Sequence, residues 1–388
     1  MAHLPSLHSR LPHVGTTIFS VMSALAAEHR AVNLGQGFPD FDCDPALVDA
    51  VHEAMKSGHN QYPPMPGVPL LRQRIADKLA RQYGRAADPD TEITITAGAT
   101  QAILTALLAL VHPGDEVIVL EPCYDSYGPA IDLAGGKTVR VALDPITFRP
   151  DFDRLRSAMT AKTRAVIVNS PHNPTGVVWR HDEWDALAEC LRGTSAWLIS
   201  DEVYEHMVFD AHQHGGVWGH PELAHRSLMI SSFGKSYHVT GWKLGFVAAP
   251  AALTVEFRKV HQFNVFTVNT PMQYGLAAFM ANPHHHENLS AFYQAKRDHF
   301  CAGLAQTPLR LLPCEGTYFV CAEYEAISRT SDSEFCRWLT TDVGVAAIPL
   351  SAFYAQAPTR QRIRFCFAKQ TATLDLALQR LRALTPLK

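Results

Sequence analysis

From Glu92 to Ala249, short apolar runs of strand character alternate with runs of helical character. Strands are expected at Ile93–Thr96, Glu116–Leu120, Thr138–Val141, Ala165–Asn169, Ala196–Ser200, Leu228–Ser231 and Leu244–Ala248. Helical runs at Gln101–Val111, Phe152–Met159 and His181–Arg192 lie between some of them. Strands this apolar have no polar face to give to water. They predict a mostly parallel sheet of seven strands covered by helices on both sides, an α/β fold.

The flanks read differently. A short amphipathic helix is expected around Thr16–Ala26. A second helix has Asp44 as N-cap, Pro45 in its first turn and Gly58 beyond its end. Asn60 to Gly67 is prolyl and extended, and a helix follows from about Pro69 to Gln82. After Pro250, helices at 251–263, 271–281 and 286–305 lead into strands Thr317–Cys321 and Ile363–Phe367 and helices Ser333–Thr341 and Thr371–Leu384. That α+β pattern implies a smaller domain, and 388 residues exceed what one small core needs. The expected division is an N-terminal arm joined to the small domain (1–45), a large domain (46–285) and a small C-terminal domain (286–388).

A formal charge of −3 gives no electrostatic reason to expect nucleic acid or an anionic membrane as partner. None of the eight cysteines forms a C-x-x-C pair, and Cys366 sits in an apolar run as a buried thiol would. No carboxylate or cysteine pattern frames His284-His285-His286, in an expected loop, so no metal site is expected. Without a basic-then-apolar N-terminus or an apolar run of membrane length, a reducing cytoplasm fits best.

Open α/β sheets bind ligands at the carboxyl ends of their strands. There the sequence places Gly98-Ala99-Thr100, whose backbone N–H groups at a helix start suit a phosphate. It also places Asn173 in Ser170-Pro171-His172-Asn173-Pro174-Thr175-Gly176, Asp201 with Tyr204 three residues on, and Lys235 in Ser231-Ser232-Phe233-Gly234-Lys235. A lysine at the edge of a core loses its proton more readily than a surface one, and a neutral amine attacks carbonyls. Gly234-Lys235-Ser236 is not the end of a nucleotide-binding P-loop, because position 229 holds Met where that motif needs glycine. A phosphate cradle, an asparagine, an aspartate and a nucleophilic lysine together suit pyridoxal phosphate. The aspartate would keep the pyridine nitrogen protonated, and the lysine would take the aldehyde.

The order Gly98-Ala99-Thr100, Asn173-Pro174-Thr175-Gly176, Asp201-Glu202-Val203-Tyr204, Ser232-Phe233-Gly234-Lys235 and a late Arg364 resembles the fold-type I, class I aminotransferases across almost the whole chain. Gln36-Gly37-Phe38-Pro39-Asp40-Phe41, Asn60-Gln61-Tyr62, Cys314-Glu315-Gly316-Thr317-Tyr318-Phe319 and Tyr237-His238-Val239-Thr240-Gly241-Trp242-Lys243 look like the branch that holds methionine and kynurenine aminotransferases.

The resemblance implies a role for each matching residue. Lys235 binds the cofactor and later carries the proton lost from the substrate Cα. Asp201 pairs with the pyridine nitrogen, and Asn173 and Tyr204 contact the ring oxygen. Tyr124 stacks on the ring. Ala99, Thr100, Ser232 and Lys243 hold the phosphate, joined by Tyr62 from a partner subunit. Arg364 takes the substrate carboxylate as a two-pronged donor, near Asn173 and the Gly37 backbone. Lys243 stands where aspartate aminotransferases have arginine, and so offers a point charge rather than a fork. Ile18, Phe19, Tyr124 and the partner's Phe266 would form an apolar side-chain pocket. With no second arginine for an acidic side chain, the expected donors are methionine and aromatic or apolar amino acids. A 2-oxo acid is the expected acceptor, and the enzyme is expected to be a homodimer with ping-pong kinetics. A kynurenine aminotransferase or a cysteine-conjugate β-lyase on the same scaffold is the alternative. A ligand-binding protein that kept the fold is a further one, against which Lys235, Asp201 and Arg364 argue.

Overall fold

The computed structural model describes residues 8–356 and 360–387, so residues 1–7 of the expected arm lie outside it. Seven strands form one sheet: β1 (Ile93–Thr96), β2 (Glu116–Glu121), β3 (Lys137–Ala142), β4 (Thr163–Asn169), β5 (Trp197–Asp201), β6 (Ser227–Ser232) and β7 (Gly245–Ala248). Their order across the sheet is β1-β7-β6-β5-β4-β2-β3. Only β7 runs against its neighbours, pairing antiparallel with both β1 and β6.

Strand alternation explains the double burial. In β2, Ile118 and Leu120 enter one core while Val117 and Val119 enter another. In β4, Val166 and Val168 pack with the first pair, and Ala165 and Ile167 with the second. Successive side chains point to opposite faces, so a strand apolar at every position needs a cover on each side. Each large aliphatic side chain so buried contributes about 1.5–3 kcal/mol.

The helices start where their capping chemistry places them. Thr17 caps α1 (Ile18–Glu28), and Asp44 caps α2 (Pro45–Lys56), with Pro45 in its first turn. Next comes α3 (Pro69–Tyr83), closed by Gly84 in the left-handed conformation. A further helix, α4 (Gly98–Leu110), begins at Gly98 rather than at Gln101, so the expected turn is in fact the first turn of the helix.

A smaller antiparallel sheet follows in the order β10-β11-β9-β8. It comprises β8 (Arg310–Leu311), β9 (Phe319–Glu323), β10 (Ile348–Pro349) and β11 (Arg362–Cys366). Its core takes in Met22, Val32 and Leu34 from the N-terminal segment. Three expectations change here. The strand expected at 317–321 lies at 319–323, because Thr317 adopts a positive φ of 66° and cannot extend. The strand expected at 363–367 lies at 362–366 and is buried along its whole length, and the Arg364 guanidinium finds partners inside. His284–Glu287 is a short helix rather than a loop, with His286 buried beneath Tyr237. All eight cysteines are free thiols. Among the described residues no helix is long and apolar enough to cross a membrane.

Candidate active site

The carboxyl ends of β1, β4, β5 and β6 open on a cavity of about 270 Å³. Its wall holds Gly37, Ala99, Thr100, Tyr124, Asn173, Asp201, Tyr204, Ser232, Lys235, Lys243 and Arg364, with Phe19 at one side. Strand pairing brings them together. Asn169 and Asp201 are register partners on β4 and β5, and Gly245 of β7 lies opposite both Ser232 and Thr96.

Lys235 lies in a one-turn helix, Phe233–Ser236, directly after β6. Its Nζ donates to the Tyr318 hydroxyl at 2.8 Å and to the Gly37 carbonyl at 3.3 Å. Burial lowers the amine to about 8, with Arg364 and Lys243 adding to the effect and Cys366 and Asp201 opposing it. Gly37 must be glycine, because a Cβ there would stand 2.9 Å from the Phe319 ring.

Asp201 ends β5 and is buried. Burial raises its carboxyl to about 6, against hydrogen bonds from the Tyr127 hydroxyl and the Val203 N–H that favour the charge. Tyr127 donates to Oδ2 at 2.7 Å. Asn169 donates from Nδ2 to the Asp201 carbonyl at 2.8 Å and accepts the Asn173 N–H at 2.7 Å, which locks two strand ends together. Burial also holds the Tyr204 phenol well above its usual range.

The N-terminus of α4 carries no side-chain cap. Its unpaired N–H groups and positive dipole end face the cavity beside Lys243, whose Nζ lies 3.7 Å from where a Gly98 Cβ would be. Gly98 has a φ of +78°, a conformation that disfavours any side chain. This is the chemistry of a phosphate site.

Arg364 is 2% exposed. Its Nη1 donates to Asn173 Oδ1 at 2.6 Å and its Nη2 to the Gly35 carbonyl at 3.3 Å, while Phe319 lies flat against the guanidinium at 3.8 Å. Its Nε has no hydrogen-bond partner among the described residues. A buried guanidinium with an unspent donor is suited to a carboxylate.

Behind Asp201 lies a second polar cluster. Lys78 and Glu205 form an ion pair at 2.5 Å with 5% and 0% of their side chains exposed. Ser231 and Tyr83 also donate to Glu205, and Tyr83, Ser200 and the Val217 N–H donate to Glu202. His214 pairs with Glu202 at 2.7 Å. These bonds pin the turn that carries Asp201 and Tyr204.

Ile18, expected on this wall, lies off it, as do Tyr62 and Phe266, which are expected to act from a partner subunit. Ile18 is half-buried against the small-sheet core and turns away from it. Tyr62 and Phe266 pack edge to face at 5.3 Å on the surface of this chain, with Tyr62 81% exposed. Tyr127, Asn169, Tyr318 and Phe319 are site residues that motif reading missed as such. A tyrosine followed three residues later by another, as in Tyr124 and Tyr127, was the available signal for the first.

The sequence pattern of the family described as aminotransferase class I and II matches residues 29–381. The chain is 50% identical over 377 residues to methionine aminotransferase of Escherichia coli, covering 97% of this chain and 98% of that one. It is 42% identical to a probable N-succinyldiaminopimelate aminotransferase of Mycobacterium tuberculosis, over 97% of this chain and 98% of that one. It is 34% identical to human kynurenine–oxoglutarate transaminase 1, over 92% and 93%. A crystal structure from E. coli, whose reactivity identifies a methionine aminotransferase function, superposes with a TM-score of 0.97 at 49% identity, covering 98% of this chain and all of that one.

Proposed function

From the premise that the chain belongs to the class I and II aminotransferases, and so transfers amino groups, we propose that it uses pyridoxal phosphate to move the amino group of methionine, or of a similar apolar or aromatic amino acid, to a 2-oxo acid. What supports the reading is the meeting of Lys235, Asp201, Asn173 and Arg364 on one cavity. The donor set suits the cofactor. The α4 N-terminus with Lys243 and Ser232 would hold the phosphate, Asp201 the pyridine nitrogen, Asn173 and Tyr204 the ring oxygen, and Lys235 the aldehyde.

When bound, pyridoxal phosphate supplies an electron sink for the pair left behind as the substrate Cα loses its proton. The protein does the rest. Arg364 and Asn173 orient the substrate carboxylate, so that the Cα–H faces Lys235. The Lys235 amine, lowered to about 8, is basic enough to take that proton and acidic enough to return it near neutrality. Asp201 holds a fixed negative charge in a dry setting, kept there by Tyr127. Phe19, Tyr124 and Phe319 line the remaining wall, and Arg364 is the only arginine on it among the described residues. That wall favours apolar side chains, and its aromatic rings make kynurenine the second donor to test.

We further propose a homodimer in which Tyr62 and Phe266 complete the partner's site, a reading supported by the exposure of Tyr62 and its packing on Phe266. The division 1–45 with 286–388 against 46–285 goes with it, supported by the core that Met22, Val32 and Leu34 share with the C-terminal sheet. The test is turnover of an amino-acid panel against several 2-oxo acids by the purified protein supplied with pyridoxal phosphate. Methionine and aromatic donors should lead, and Lys235→Ala should abolish turnover. Absence of pyridoxal phosphate binding, or an active Lys235→Ala, would overturn the proposal.

A further inference from the structure

The Lys235 amine has two hydrogen-bond acceptors within reach, the Tyr318 hydroxyl at 2.8 Å and the Gly37 carbonyl at 3.3 Å. Tyr318 has one hydroxyl proton, and it goes to the Gly37 carbonyl at 2.5 Å. The Tyr318 oxygen therefore meets Lys235 only as an acceptor. Burial holds the Tyr318 phenol well above its usual range, so the proton stays in place over the working pH. The ring is fixed too. It is 1% exposed and clamped by Phe319 at 4.8 Å, Tyr204 at 5.2 Å and Tyr293 at 5.7 Å.

We infer that Tyr318 is a positioning residue: anchored by Gly37, its hydroxyl orients the Lys235 amine so that the nitrogen lone pair faces the cavity. A neutral amine carries two N–H bonds and one lone pair. Tyr318 and Gly37 take the two N–H bonds, and the lone pair is left for the wall that Lys235 shares with Asp201, Asn173 and Arg364. Without the hydroxyl, the amine keeps only the longer bond to Gly37 and rotates about its last carbon. The inference rests on the proposed pyridoxal phosphate chemistry, and it names how the lysine is aimed before the cofactor arrives and whenever the substrate has released it.

The test compares wild type, Tyr318→Phe and Lys235→Ala, each freed of cofactor and mixed with pyridoxal phosphate in a stopped-flow spectrometer. Tyr318→Phe keeps the ring and the packing. It should slow the absorbance change of cofactor capture by about 10- to 100-fold, with the final amount bound unchanged. In steady state its kcat should fall by a similar factor while KM for the amino donor holds. The pH dependence of capture is followed as well, because Asp201, Arg364, Lys243, Cys366 and Tyr204 all act on the same amine. Its midpoint should remain near the wild-type value, since aim rather than basicity is lost. A Tyr318→Phe protein that captures cofactor at the wild-type rate refutes the inference. So does one whose midpoint shift accounts for the whole loss. Failure of wild type to capture pyridoxal phosphate would instead sink the cofactor reading itself, and that result is distinct from either.

Discussion

Lys78→Met removes the cation from the buried pair with Glu205 while leaving a side chain of similar length. Wild-type Glu205 loses water on burial, which pushes its carboxyl up. Lys78, His206 and the hydrogen bonds from Lys78 and Ser231 more than reverse this and hold it well below the usual carboxylate range. A carboxyl depressed in this way contributes stability that is present above the unfolded value and is lost only as pH falls through the lower folded value. The native pair is therefore intact throughout the neutral range.

In the variant Ser231, Tyr83 and His206 still face Glu205, but the Lys78 charge that did most to offset the desolvation is gone, and breaking a buried pair from one side costs about 3–5 kcal/mol. Unfolding entropy of about 2.1 cal/mol/K per residue over 388 residues makes that a fall of about 4–6 °C in Tm. The sign with pH is fixed. The folded carboxyl now lies above its unfolded value, so the variant loses about 1.4 kcal/mol for each pH unit climbed between the two. His206, 3.9 Å from Glu205 and itself lowered by burial and by Lys78, can take a proton in its place at acid pH, which acts in the same direction. Thermal unfolding of the cofactor-loaded protein at one protomer concentration should therefore show a larger deficit at about pH 8 than at about pH 5.5. Adding Glu205→Gln, which removes the stranded charge, should restore most of the loss. A deficit under about 1 °C, or one that is equal or larger at the acid pH, would refute the reasoning.

Arg364→Lys exchanges a fork for a point charge, and KM for the amino donor should rise about 100-fold in initial-rate assays, with pyridoxal phosphate affinity unchanged. Tyr127→Phe removes a hydrogen bond that favours the Asp201 carboxylate. The carboxyl should climb from about 6 by about one further pH unit, and the acid limb of the cofactor-binding profile, followed by absorbance, should move up with it. Gly98→Ala puts a side chain at a φ of +78°, which costs about 1–2 kcal/mol and disturbs the helix start. Equilibrium titration should show pyridoxal phosphate binding weakened about 10-fold or more.

The large sheet was legible because both of its faces are dry. Apolar runs such as Val117–Leu120 and Ala165–Val168 have only one kind of home. The strand-end residues were legible for a related reason, since asparagine, aspartate and lysine directly after such runs cannot all be solvated. What could not be read were contacts between distant segments. Tyr127 meets Asp201 across 74 residues and Tyr318 meets Lys235 across 83, and no local pattern records either pairing. Polar residues buried on helices were equally opaque. Arg72 and Lys78 are charged residues within α3, yet both are buried, because the Gly67 carbonyl and Glu205 pair with them in the interior. Their burial depends on partners, not on their own character. The positive φ at Thr317 and at Gly98 shifted boundaries by two or three residues, set by single dihedral angles that composition does not fix.

The reversed strand has a further consequence, for where the site's lysines lie along the chain. Because β7 runs against β6, the chain turns back at the edge where it has just left Ser232 and Lys235, and Lys243 arrives at the same mouth within a few residues. A parallel return would carry the chain to the far edge and need a crossover of about a dozen residues or more first. The lysine proposed to take the cofactor and the one proposed to help hold its phosphate thus lie in one uninterrupted segment, 232–243, whose Phe233, Tyr237 and Val239 pack into the core on one face of the sheet.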